Sequence, residues 1–218
     1  MAIPTAPTAE SATPPGRREA QHERTRAEIL AAAWVLVRAE GLAGLSMRDL
    51  GEAVGMRAQS VYSYFPSKDA IYDAMFRQGY EEFHAWIAAD DGISALPPQQ
   101  RFQHMAHSFF EFCTTDSVRY QLLFQRTIPG FEPSPGSYAV ALEALNALAS
   151  EFAEVGITDP AAVDLATAVF TGLTSQQIAN DPGGDRWERL VDRSVAMLLS
   201  DIAPHLLDRP SPTDGGTT

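Results

Sequence analysis

SMRDLGEAVGMRAQSVYSYFPSKD, residues 46–69, decides how this chain is read. Ser46 with Asp49 three residues on is an S-x-x-D capping box, a pattern that satisfies the orphan N–H donors of a helix start. Leu50 and Val54, four apart, share one buried face of that helix. Gly55 ends it, because a left-handed turn costs glycine no steric penalty. A second helix follows over residues 57–65 and is stopped by Pro66, with Val61 and Phe65 pointing inward. Arg57, Ala58, Gln59, Tyr62 and Ser63 are left on its outer face. A short helix of small, polar and aromatic exposed side chains, pinned by a tight helix-turn-helix, has the shape that enters a major groove.

The ordered, gap-free run VGMRAQSVYSYFPSKDAI resembles the helix-turn-helix signature of TetR-family transcription regulators. Gly55 and Met56 form the turn, Ser60, Val61, Tyr62, Tyr64 and Phe65 follow the recognition helix, and Ser67, Lys68 and Asp69 start the next helix. Arg57 departs from the pattern, standing where the family often has a capping Ser or Thr. A guanidinium cannot accept from backbone N–H groups, so either the turn is capped otherwise or Arg57 contacts DNA. The resemblance implies a three-helix DNA-binding head over residues 18–78 and a helical domain over 79–207 for ligand binding and dimerisation. A disordered arm, 1–17, and tail, 208–218, flank them. It also implies that Thr25 and Arg26 lie near a phosphate, and that the helix after Ser67 transmits ligand binding to the DNA heads. Ser60, Tyr62 and Lys68 are expected to hold phosphates, with Ser46, Met47, Arg48 and Tyr64 beside them. Arg57, Ala58, Gln59 and Ser63 are expected at base edges, where Gln can pair with adenine and Arg with guanine.

The net charge of −12 looks wrong for a DNA binder until it is divided along the chain. Residues 17–77 hold nine Lys/Arg against eight Asp/Glu, whereas residues 78–218 hold seven against nineteen. Phosphates are met by the first part and repelled by the second, which favours one docking orientation. No stretch approaches the ~20 apolar residues of a membrane span, and no secretory signal opens the chain. The single cysteine, Cys113, allows no internal disulfide and fits a reducing cytoplasm.

Elsewhere helix follows helix, without strand alternation, so the class is all-α. A first helix is expected from residue 18 or 21 to Glu40, closed by Gly41. A connecting helix runs from Lys68 to about Ala89. Others span about 97–113, 117–126, 137–154 (capped by Ser137), 160–178 and, from an Asp185/Glu188 capping box, to about Ala203. Small residues with Leu165, Val169 and Gly172 on one late helix, and Leu190, Val191, Ser194, Val195 and Leu198 on the next, suit a four-helix interface about a two-fold axis, though periodicity alone fits packing inside one protomer equally. The dimer is preferred because one short recognition helix specifies too little, whereas half-sites about one turn apart specify enough.

The middle helices are aromatic. Most such rings are core by default, but His104, Met105, Phe109, Phe112, Tyr120, Phe124, Tyr138 and Gln176 are candidates to line a cavity for an apolar or aromatic effector. His104, His107 and Glu111 share a helix face that could reach a metal, yet no fourth ligand is evident, so no metal or other cofactor is expected. No G-x-S-x-G, H-E-x-x-H or dinucleotide fingerprint occurs. The expectation is a cytoplasmic, homodimeric, ligand-responsive regulator on duplex DNA with no membrane partner, more a repressor than an activator. The competing class is a helical small-molecule-binding protein or enzyme with a vestigial DNA head.

Overall fold

The computed structural model describes residues 16–89 and 93–207, and within them every regular element is helical. Of the arm expected over residues 1–17, residues 1–15 lie outside the described residues, as does the tail over 208–218, whereas Gly16 caps the first helix and Arg17 begins it. Helix α1 spans Arg17–Glu40, and its N–H ladder closes where Gly41, at φ 77°, turns the chain. Helix α2 is Met47–Ala53, with Ser46 accepting from the Asp49 N–H. It ends in a Schellman arrangement: Met56 N bonds Gly51 O at 2.8 Å and Gly55 N bonds Glu52 O at 3.2 Å, across Gly55 at φ 68°. Helix α3 is Ala58–Val61, shorter than the expected 57–65. Beyond Val61 the chain tightens into three-residue turns, with Ser63 N on Ser60 O and Tyr64 N on Val61 O, because Pro66 forbids a continuing helix.

Helix α4, Lys68–Ala88, starts on the Ser67 hydroxyl, which accepts from Ala70 N. Helices α5 (Pro98–Thr115), α6 (Ser117–Phe124), α7 (Pro135–Glu154), α8 (Ala161–Asn180) and α9 (Val191–Ile202) complete the order. Two starts differ from expectation. The cap of α7 is Ser134, not Ser137, with Pro135 at the first helical position. The last α-helix begins at Val191 after a 3-10 turn, because Asp181 takes the Arg186 N–H and Gln177 takes the Trp187 N–H; the Asp185/Glu188 box does not form.

Among the described residues the apolar interior falls into three clusters. Ile29, Trp34 and Val37 of α1, Leu50, Val61, Phe65 and the first half of α4 pack as the head core, which also takes in Leu122 of α6. The second half of α4 packs with α5, α6 and α7, and α5, α7, α8 and α9 enclose the third cluster. The boundary expected at residue 78 therefore falls inside one unbroken helix. Among the described residues no helix is long and apolar enough to cross a membrane.

Candidate nucleic-acid interface and ligand cavity

The head presents α3 outward on a buried foundation. Val61 and Phe65 are fully enclosed, while Arg57, Gln59, Ser63 and Tyr62, the last 45% exposed, face solvent; Ala58 and Ser60 are half-buried. The close approach of α2 to α3 depends on Gly51, where a Cβ would lie 2.8 Å from Met56 O and 3.1 Å from Ala58 N. Arg57 occupies the cap position of α3 without a side-chain cap bond, which leaves its guanidinium to the surface.

Several residues expected at phosphates have structural partners instead. Arg26 turns inward, donating from Nη1 to Tyr64 O at 2.8 Å, with its guanidinium 4.2 Å over the Phe65 ring. The Ser46 hydroxyl is spent on capping α2, and Met47 is half-buried against the head core. Tyr64 stacks on His22 with ring centroids 4.7 Å apart. Thr25 donates to Gln21 O. Arg48 is exposed and paired with Glu52 at 3.1 Å, and that hydrogen bond raises its pKa further. Lys68 Nζ reaches Ala43 O at 3.3 Å from the first turn of α4.

Below the head lies a cavity of about 480 Å³ walled by α4 through α9, within the range of small-molecule sites. Of the expected residues, His104, Met105, Phe109, Phe124 and Tyr138 line it. Phe112, Tyr120 and Gln176 do not. Phe112 is buried under the Arg119 guanidinium, which stands 3.7 Å over its ring. Tyr120 is buried and donates to Thr171 O at 2.7 Å, and burial raises its pKa. Gln176 is exposed and accepts from Asn180 Nδ2. Sequence reasoning missed Tyr80 of α4 and Leu142, Leu145 and Leu148 of α7 as lining. The signal was an α7 apolar nearly all round in a helix whose surface is largely exposed.

The late helices correct part of the expected interface. Val191, Val195 and Leu198 are buried inside the protomer with Phe102, Phe110 and Ala166, so they are not available to a partner. Leu190 and Ser194 are half-buried. The outward apolar residues are Leu165, 41% exposed, with Gly172 and half-buried Val169 on α8, and Met197 of α9, 60% exposed. Among the described residues no three His, Cys, Asp or Glu side chains come together as a metal site, and His107 instead lies 3.0 Å from Asp192.

A helix-turn-helix head on a buried foundation, set above an internal cavity, is a layout suited to a ligand-responsive DNA-binding regulator. Residues 29–75 match the family model described as bacterial regulatory proteins, tetR family. That stretch, the helix-turn-helix head, is similar to the DNA-binding domain of TetR-family transcriptional regulators. It is 24% identical over 180 residues to the HTH-type transcriptional regulator Rv1816 of Mycobacterium tuberculosis, covering 78% of this chain and 76% of that one. The fold is shared with SCO4313, described as a regulatory protein, at TM-score 0.71 and 19% identity, over 85% of this chain and all of that one. It is also shared with FadR of Bacillus subtilis in complex with stearoyl-CoA, at TM-score 0.63 and 16% identity, over 80% of this chain and 97% of that one.

Proposed function

We propose that the protein is a homodimeric repressor that binds a palindromic operator in the cytoplasm and is released by a small, mostly apolar effector seated in the 480 Å³ cavity. The observation that carries this reading is the pair Leu122 and Leu123. These neighbours on α6 enter different interiors, Leu122 the head core and Leu123 the cavity wall, where it also meets Gly79 of α4. Helix α4 does the same along its length, with Ile71 and Met75 in the head and Tyr80 and Phe83 at the cavity. A ligand that displaces α6 or α4 moves the foundation of α3, because packed interiors transmit displacement rather than absorb it. That FadR, of the same fold, is described in complex with stearoyl-CoA supports an effector with a long apolar chain.

On DNA, Arg57, Ala58, Gln59 and Ser63 read base edges, and Ser60, Tyr62, Lys68 and Arg48 hold phosphates. Exposed Leu165, Gly172 and Met197 support a two-fold pairing of α8 and α9. Selection of bound sequences from random duplex DNA tests the reading. The expected product is an inverted repeat with half-site centres about one helical turn apart, bound by a species that sediments as a dimer. Leu165→Arg with Met197→Asp is expected to yield folded monomers that lose the operator. Selection of asymmetric or no sequences would overturn the proposal.

A further inference from the structure

We infer that the cavity selects uncharged ligands, lipophilic molecules bearing hydroxyl, carbonyl or ether oxygens rather than a carboxylate, phosphate or ammonium. The inference rests on the reading of this cavity as the effector site. Among the described residues no Lys or Arg lines it. Its one carboxylate, Glu151, is already held by Arg101, whose Nη1 stands 2.9 Å from Glu151 and 3.1 Å from Glu154. An anion seated there would shed its water without meeting a counter-charge, and a cation would have to compete with Arg101 for Glu151.

The oxygen-bearing groups of the wall suit neutral partners. Tyr138 offers a phenol on a half-exposed side chain at the rim, and Thr167 offers a hydroxyl from α8. Ser108 accepts from Trp86 Nε1 at 2.9 Å and so keeps its own proton to donate. Hydroxyls donate and accept alike, which matches carbonyl, ether and alcohol oxygens without an ionic partner. His104 is the one lining side chain that can become cationic. Histidine is the one residue type in this wall whose charge commonly changes between pH 5 and 8, so the probes are compared at pH 8.5.

Three probes with one ten-carbon chain, 1-decanol, decanoate and decylammonium, compete at pH 8.5 for Nile red bound to the full-length protein. The expected result is 1-decanol displacing the dye with an apparent Kd at least about tenfold below that of either ion, the factor that a modest desolvation penalty produces. Leu142→Trp and Leu145→Trp, each on the exposed rim, are expected to weaken dye and decanol binding while the far-ultraviolet helical signal is kept. Decanoate or decylammonium binding within threefold of decanol overturns charge selection, and decanol binding unmoved by both folded rim variants overturns the location. Operator release is read separately by gel shift. Decanol preferred in the cavity yet without effect on operator binding leaves charge selection standing and sinks only the effector reading.

Discussion

The Asp73 carboxylate of α4 grips the first turn of α7 through Ser137, whose Oγ donates to Asp73 Oδ2 at 2.9 Å. Ser134 adds its backbone N–H at 2.7 Å on Oδ1 and its hydroxyl at 3.0 Å on Oδ2. Asp73 stands in the head half of α4, whereas α7 supplies the exposed rim of the cavity through Tyr138, Leu142 and Leu145. The opposite end of α7 is tied to α5 by Arg101. Helix α7 is thus a cavity wall whose leading end is fastened to the DNA-reading unit.

Replacing Asp73 by Asn removes the acceptor for both hydroxyls while keeping the shape. The expected loss is about 1–2 kcal/mol in urea unfolding, the cost of stranding a charge-assisted hydrogen-bonded group. Operator affinity without ligand should change little, while the ratio of affinities with and without a cavity ligand moves toward one. Wild-type stability together with a wild-type ratio would remove the clasp from the coupling.

Gly51 gives an opposite lesson about sign. In an exposed helix interior Gly→Ala stabilises by up to about 1 kcal/mol. Here the new methyl would meet the backbone of Met56 and Ala58 rather than the end of a flexible side chain. Gly51→Ala is therefore expected to destabilise the head by about 1–3 kcal/mol and to weaken operator binding, because α3 must shift to make room. Unfolding midpoints of Gly51→Ala and wild type decide the sign.

Elements written in local chemistry were legible in the sequence. The Ser46 cap, the left-handed Gly55 and the Ser67 cap each depend on residues within four positions, so spacing alone located α2, the turn and α4. Helix α7 was misread by one cap because Ser134 and Ser137 are both capping residues three apart. Pro135, suited to a first helical position, was the deciding cue. The start of α9 was hidden for a different reason: the Arg186 and Trp187 N–H groups that precede it are taken by Asp181 and Gln177 on the far side of a turn, a tertiary fact with no periodic trace. The cavity was half legible. Phe109 and Phe112 share a helix and a spacing, yet only Phe109 faces the void while Phe112 lies beneath Arg119. Periodicity says which face is inside, not where the inside is empty.

Cys113 is fully enclosed among the aromatic rings between α4, α5 and α6, and burial pushes its thiol well above the usual range, an effect that nearby Arg119 only partly offsets. A raised thiol pKa keeps the neutral form at pH 8, and the thiolate is the reactive species. The folded protein should therefore resist a disulfide-exchange reagent such as dithionitrobenzoate at pH 8, with stoichiometric labelling appearing only across the urea transition. Rapid labelling of the native state would contradict the packing around α6.

Arg26, Lys68 and Gln59 separate three effects that a single binding constant would merge. Arg26 is committed to Tyr64 O and the Phe65 ring, so Arg26→Ala should lower the stability of the head by about 1–3 kcal/mol while leaving the salt dependence of the remaining binding unchanged. Lys68, at the first turn of α4, joins its charge to the free N–H groups of a helix start, which together favour an anion. Lys68→Ala should weaken binding to every duplex alike and reduce the slope of log affinity against log salt by about one. Gln59 carries no charge, so Gln59→Ala should leave that slope intact and relax preference at one base step by about 1–3 kcal/mol. Salt titrations on the selected operator and on single-step variants distinguish the three. A reduced slope for Arg26→Ala at full stability would return that residue to the phosphates, and sequence-selective loss from Lys68→Ala would move Lys68 to a base edge.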